Sequence, residues 1–269
     1  MNLKKYFALT RAGVMDALQF RMSMFVMFIG NLLYLIVVYF LWKAIYDSSG
    51  TDVVNGMTFT DTLIYLVLAT ALFGFMEMYT VWQVGRDIQS GRIVLDLLKP
   101  INYRRYIFWG FSGNLVVNFF ATFLPTFIVI EIVTKGAIHI GINMPFFVAS
   151  VVMSVLINYS IDFIVSTICL YTESIWGINI MKQVVVTLLS GATIPLAFFP
   201  DKLRSVVELL PFAAIYDSPL RLLLWDGTSM EPHEPWCMLG FQLFWCIVMM
   251  IISKLFWKIS IKQITVNGG

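Results

Sequence analysis

Residues 83–100 read QVGRDIQSGRIVLDLLKP, the most charged part of the first half of the chain. Two long apolar runs flank the stretch, so it reads as a short helical hairpin joining two membrane spans. Its core, residues 91–98, predicts a short helix. Lys99 and Pro100 end that helix, because the residue before a proline avoids the helical region. Ile93, Leu97 and Leu98 are expected to form a small apolar patch, with Arg92, Asp96 and Lys99 around it. A patch of that kind on a short helix suits docking into a groove of another protein. Periodicity allows equally a positively charged loop that only fixes topology.

The flanking runs belong to a strongly apolar chain. Of its 269 residues 59% are hydrophobic and 13% are charged, and the mean hydropathy is +0.82. A soluble domain carries about 25% charge. The deficit and several uncharged runs near 20 residues indicate a polytopic, all-α membrane protein. Spans are expected at about 22–42, 62–82, 106–130, 144–170, 183–199 and 236–253, with the hairpin at 83–105 between the second and third. Pro125 is placed to kink the third span. Residues 200–225 hold two apolar pieces broken by Pro211 and Pro219, each too short to span. A re-entrant helical pair is the preferred reading, with an amphipathic surface pair as the alternative.

Residues 1–21 read as an amphipathic interfacial helix, with a cytoplasmic tail whose charges only orient the first span as the alternative. Leu3, Tyr6, Phe7, Thr10, Val14, Ala17 and Leu18 recur at helical spacing beside Lys4, Lys5 and Arg11, which suits the membrane interface. With this end inside, 13 of the 18 Lys and Arg fall in inner segments, Lys182 among them. Both termini are therefore expected in the cytoplasm, with the remainder a single six-span domain. The net charge of +2 is small, and no nucleic-acid partner is expected.

Chemistry-bearing constellations are scarce. The chain has no G-x-x-x-x-G-K-[ST] phosphate loop, H-E-x-x-H or G-x-S-x-G, so it is not expected to be an enzyme or to hydrolyse ATP itself. Cys169, Cys237 and Cys246 lie in or beside apolar runs and read as small hydrophobes. His139 and His233 stand in separate loops, and no metal or other cofactor is expected in this chain. Glu77 and Asp162 are the only acids at membrane depth, where charge is costly and functional by default. Either would contact cargo or carry a proton. Alternatively Glu77 reaches water or Arg86, and Asp162 holds helices together with Asn158.

The hairpin stretch matches the pattern I-x-S-G-x-[IL]-x-x-x-L-L-[KR]-P through Ile88, Ser90, Gly91, Ile93, Leu97, Leu98, Lys99 and Pro100. Further on come P-L-A-F-F-P at residues 195–200, L-P-F at 210–212, and Ser218 with Pro219. In this order, along six expected spans, they resemble type-2 ABC transporter permeases, the six-span membrane subunits of many bacterial exporters. The resemblance covers nearly the whole chain.

It implies that the hairpin is a coupling helix resting on a separate ATP-binding subunit, with Gly91, Arg92, Asp96, Leu97, Leu98, Lys99 and Pro100 at the contact. It makes residues 1–21 the interfacial connecting helix and residues 200–225 the re-entrant pair. It implies a second permease, more often unlike than identical, in a bacterial inner membrane, with ATP and Mg in the partner ATPase. The connection at residues 171–182 departs from the pattern in its weak charge, and would meet an ATPase through Glu173 and Trp176. An ion-coupled carrier using Glu77 and Asp162, a membrane enzyme and a non-transport membrane subunit stay open as rivals. An apolar or amphipathic cargo fits the 16% aromatic content, although lipid-facing surfaces account for it equally.

Overall fold

The computed structural model describes residues 3–19, 21–136, 138, 140–172, 174–225 and 230–263. His139 and Glu173 lie outside them. The chain is almost wholly helical. α1 (Leu3–Gln19) leads into α2 (Arg21–Ser49), and a two-stranded hairpin follows, β1 (Val53–Val54) with β2 (Met57–Thr58). Asn55 and Gly56 carry the hairpin turn with φ of 51° and 80°, the positive values such a turn requires. Next come α3 (Phe59–Met76), α4 (Thr80–Gln89), α5 (Ile93–Leu97), α6 (Tyr103–Asn118), a π-turn (Phe119–Phe123) and α7 (Leu124–Val133). The second half holds α8 (Asn143–Ile168), α9 (Ile175–Leu189), α10 (Asp201–Glu208), α11 (Ala213–Leu223) and α12 (Glu234–Ser260).

Among the described residues five helical stretches are long and apolar enough to cross a membrane. They are Ile29–Ser49, Phe59–Gln89, Tyr103–Val133, Asn143–Ile168 and Glu234–Ser260. The chain is thus an all-α, multi-pass membrane protein. The apolar run expected at 183–199 divides differently. Its helix, α9, begins at Ile175 and ends at Leu189, so Lys182 lies inside a helix rather than in a loop. Fifteen residues rise only about 22 Å, short of a hydrocarbon core of about 30 Å.

The third span stays continuous through Pro125. Leu124 donates its N–H five residues back to the carbonyl of Phe119, and this wider turn absorbs the N–H that Pro125 lacks. Pro219 likewise sits inside α11 rather than ending it. The two pieces of residues 200–225 also differ in kind. α11 is buried along almost its whole length, whereas α10 buries only Val207.

α8 is the hub and packs against α4, α11 and α12. It carries Ser150, Ser154, Ser160, Ser166 and Thr167, all buried, around its circumference. Small residues let helices approach closely where lipid supplies no hydrophobic drive between them. Ser154 Oγ donates to the Ala214 carbonyl of α11 at 3.0 Å, and Gln242 Nε2 of α12 donates to the same carbonyl at 2.7 Å.

One end of the bundle gathers α5, the start of α6 and the last turns of α8 and α12. Tyr103 stacks on Trp257 at 5.1 Å, and both join Ile93, Tyr159 and Phe163 in one apolar cluster. The opposite end gathers the strand hairpin, the residues after α9, and both flanks of α11. There Trp42 meets Phe198 at 4.6 Å, and Asn143 Nδ2 donates to the Leu223 carbonyl at 2.7 Å.

α1 lies on α6. Thr10 and Ser112 share a hydrogen bond of 2.7 Å, and Tyr6 meets Trp109 at 5.6 Å. A Cβ on Gly13 would strike the Gly110 carbonyl, and one on Gly113 would strike the backbone of Gly13 and Val14. The inward stripe is Tyr6, Leu9, Thr10, Gly13, Val14 and Ala17, while Phe7 and Leu18 of the expected apolar face stay exposed.

Candidate functional site: a rooted hairpin and a buried charge cluster

The hairpin has one face fixed in the bundle and one free. α4 buries Val81, Val84, Gly85 and Asp87. Gln83 Nε2 donates to both carboxylate oxygens of Asp87, at 3.0 and 3.1 Å. The chain then turns at Gly91, whose φ of 71° favours glycine. In α5 Ile93 is 2% exposed and packs into the cluster around Tyr103 and Trp257. Asp96, 5% exposed, accepts from Lys99 Nζ at 2.6 Å. Lys99 also donates to the Tyr106 hydroxyl at 3.0 Å and lies over its ring. These two hydrogen bonds hold the Lys99 ammonium above its ordinary pKa.

The outward face differs from the patch expected from sequence. Leu98 is 77% exposed and Leu95 65% exposed, beside Gly91, Arg92, Lys99 and Pro100. Ile93 faces the bundle, Leu97 is half-buried against it, and Asp96 is turned inward. Leu95 is the residue the sequence reading missed. Residues 91, 95 and 98 share one helical face and 93, 94 and 97 the other, and both faces carry leucine or isoleucine. Only packing decides which of them looks outward.

Glu77 stands in a break between two helices. α3 ends at Met76, Glu77 is extended (φ −70°, ψ 119°), and α4 starts at Thr80. The carbonyls left open at such an end need donors. Asn158 Nδ2 supplies the Met76 carbonyl at 3.2 Å, and Asn118 Nδ2 the Gly74 carbonyl at 3.2 Å. Glu77 is hydrogen-bonded to Tyr79 rather than reaching Arg86.

Asp162, 3% exposed, accepts from Lys182 Nζ at 2.9 Å. Its partner is thus a lysine on α9, not Asn158. Glu77, Asp162 and Lys182 line one cavity of about 40 Å³ with Asn158, Gln183 and Tyr216, enough for a water molecule. A basic residue, Lys182, thus stands in the cavity that both acids line, paired with Asp162. Another buried acid, Asp217 on α11, accepts from the Tyr65 hydroxyl at 3.1 Å. Asp217 falls in the expected re-entrant segment at 200–225, outside the expected spans, and is not singled out there.

The chain is an all-α membrane bundle with a surface hairpin and a broken second span. The family model described as ABC-2 family transporter protein matches residues 32–268. The chain belongs to that family, and is a permease subunit of an ABC transporter whose general partner is an ATP-binding subunit. No curated protein matches it.

Proposed function

We propose that this chain is the translocating subunit of an ATP-driven exporter, and that the outward face of α5 docks on the ATP-binding subunit. The observation that carries this reading is a surface helix presenting Leu95 and Leu98 while Ile93 roots it in the bundle. Gly91, Arg92, Lys99 and Pro100 surround the leucines and complete the contact, and Asp96 and Leu97 brace it from within. ATP and Mg belong to the partner.

Force applied to α5 reaches α4 through the turn at Gly91. α4 packs on α8 and α9 and is separated from α3 by the break at Glu77. We infer that the break is the hinge. Motion of α4 there changes the surroundings of Glu77, Asp162 and Lys182, which places a charged cluster at the point where the span bends. ATP shifts this equilibrium only by binding one arrangement better than the other.

α2 presents Leu33, Val37, Phe40 and Leu41 outward, an apolar face for lipid or a second permease. A heterodimer of unlike permeases fits the family pattern. In this reading the α5 end is cytoplasmic with both termini, and α9 with the turns after it completes a sixth crossing. With Lys182 inside a helix, 12 inner cations still outnumber five outer ones, which supports this orientation.

The experiment is purification of the tagged chain in mild detergent, with co-purifying proteins identified and assayed for ATP hydrolysis. An ATPase subunit at about one per permease supports the reading. A second permease band supports the heterodimer. A chain that purifies alone and moves cargo with an ion gradient overturns it in favour of a carrier built on Glu77 and Asp162.

A further inference from the structure

A second cleft, of about 500 Å³, opens between α6, α8 and α12 at the α5 end of the bundle. Its lining is graded along each helix. Toward the bundle middle lie Phe108, Leu156 and Met250; toward the end lie Arg104, Arg105, Lys254 and Lys258. α6 enters the bundle from this end and α12 leaves by it, so the two helices grade in opposite sequence directions yet agree in space. No carboxylate lines the cleft. Among the described residues none lies within ion-pair distance of Arg104, Lys254 or Lys258.

Arg104 sharpens the case. Its Nε is buried without a hydrogen-bond partner among the described residues, and one terminal nitrogen has only a long contact of 3.5 Å to the Met250 carbonyl. Its backbone is pinned, since the Tyr159 hydroxyl donates to the Arg104 carbonyl at 2.5 Å. The guanidinium also lies over the Phe163 ring at 5.3 Å. A buried donor left open costs free energy unless something accepts from it. Arg104, Lys254 and Lys258 above an apolar floor, beside helices in lipid, call for a ligand with an anionic head and a hydrocarbon tail.

We propose that this cleft binds an anionic phospholipid, its phosphate between Arg104 and the Lys254 and Lys258 pair and an acyl chain against Leu156 and Met250. The site lies apart from the outward face of α5 and does not depend on the ATPase docking there. Lys254 and Lys258 are exposed and replaceable without opening the core.

The test is native mass spectrometry of the detergent-purified chain, titrated with phosphatidylglycerol, phosphatidylcholine or inorganic phosphate. The wild type is expected to retain phosphatidylglycerol over phosphatidylcholine and to keep it in millimolar phosphate. Lys254→Ala with Lys258→Ala is expected to weaken that retention roughly thirtyfold, while the paired arginine substitutions keep it. Equal retention of the two lipids, or retention unchanged in the double alanine variant, overturns the site. Displacement by inorganic phosphate shows a free-anion site and overturns the lipid.

Discussion

Lys182 Nζ lies 2.9 Å from Asp162 Oδ1, joining α9 to α8 across 20 residues of sequence inside the bundle. Both side chains are largely shielded from solvent, and Glu77 faces the same cavity. Removing one member of a buried pair leaves an uncompensated charge, a loss of about 3–5 kcal/mol, whereas removing both is often close to neutral. Lys182→Met is therefore expected to lower the melting temperature of the purified protein sharply. Lys182→Met with Asp162→Asn is expected to recover most of the loss. A double variant as unstable as the single one would remove the pair from the explanation.

Leu98→Asp is expected to leave membrane insertion and melting temperature unchanged, because that side chain touches little of its own chain. Co-purification of the ATP-binding subunit should fall by about tenfold or more, the loss of an apolar anchor being worth roughly 1.4 kcal/mol or above. Leu95→Asp should behave alike. Leu97→Asp should instead lower stability, since Leu97 packs against the cluster around Tyr103. Transport coupled normally in Leu98→Asp counts against the docking face.

The pairing of Lys99 with Asp96 and Tyr106 has a defined pH signature. Its folded pKa is raised above the ordinary 10.5, so its contribution is complete below the ordinary value and is lost as pH rises through the raised one. The difference between wild type and Lys99→Met in ATPase co-purification should therefore stay constant from about pH 6 to 9. A difference that changes within that window assigns the effect to another group.

Gly113→Val should pry α1 from α6, because the new side chain meets the backbone of Gly13 and Val14 rather than a movable side chain. Cysteines at positions 10 and 112, in a chain lacking the native three, are expected to cross-link readily in membranes. Gly113→Val should abolish the cross-link. Persistence of the cross-link shows that the helices accommodate the added bulk.

Gly191 follows α9 with a φ of 78°, and a Cβ there would lie 2.8 Å from the Tyr65 hydroxyl. Gly191→Ala thus meets both a disfavoured backbone and the group that binds Asp217. A loss exceeding about 1 kcal/mol is expected, read as a lowered midpoint in denaturant. An unchanged midpoint shows that the turn relaxes.

The chain's own order of residues determined the membrane class, the long apolar helices, the polar hairpin between them and the helix stop at Pro100. These follow from local chemistry: an uncharged run of about 20 residues satisfies its backbone in lipid only as a helix, and proline removes a donor wherever it stands. The Asn55–Gly56 pair is a local turn signal of the same kind, one not used in the sequence reading.

Other features were settled only by packing. Lys182 reads as a loop cation because apolar runs are delimited by their charges, yet a charge enters a helix when a partner such as Asp162 waits on its neighbour. The faces of α5 and the partner of Asn158 depend in the same way on what lies opposite. So does the joining of Arg104 to Lys254 and Lys258, about 150 residues apart in the chain. Sequence spacing gives a helix its faces, and only the neighbouring helices decide which of those faces is inside.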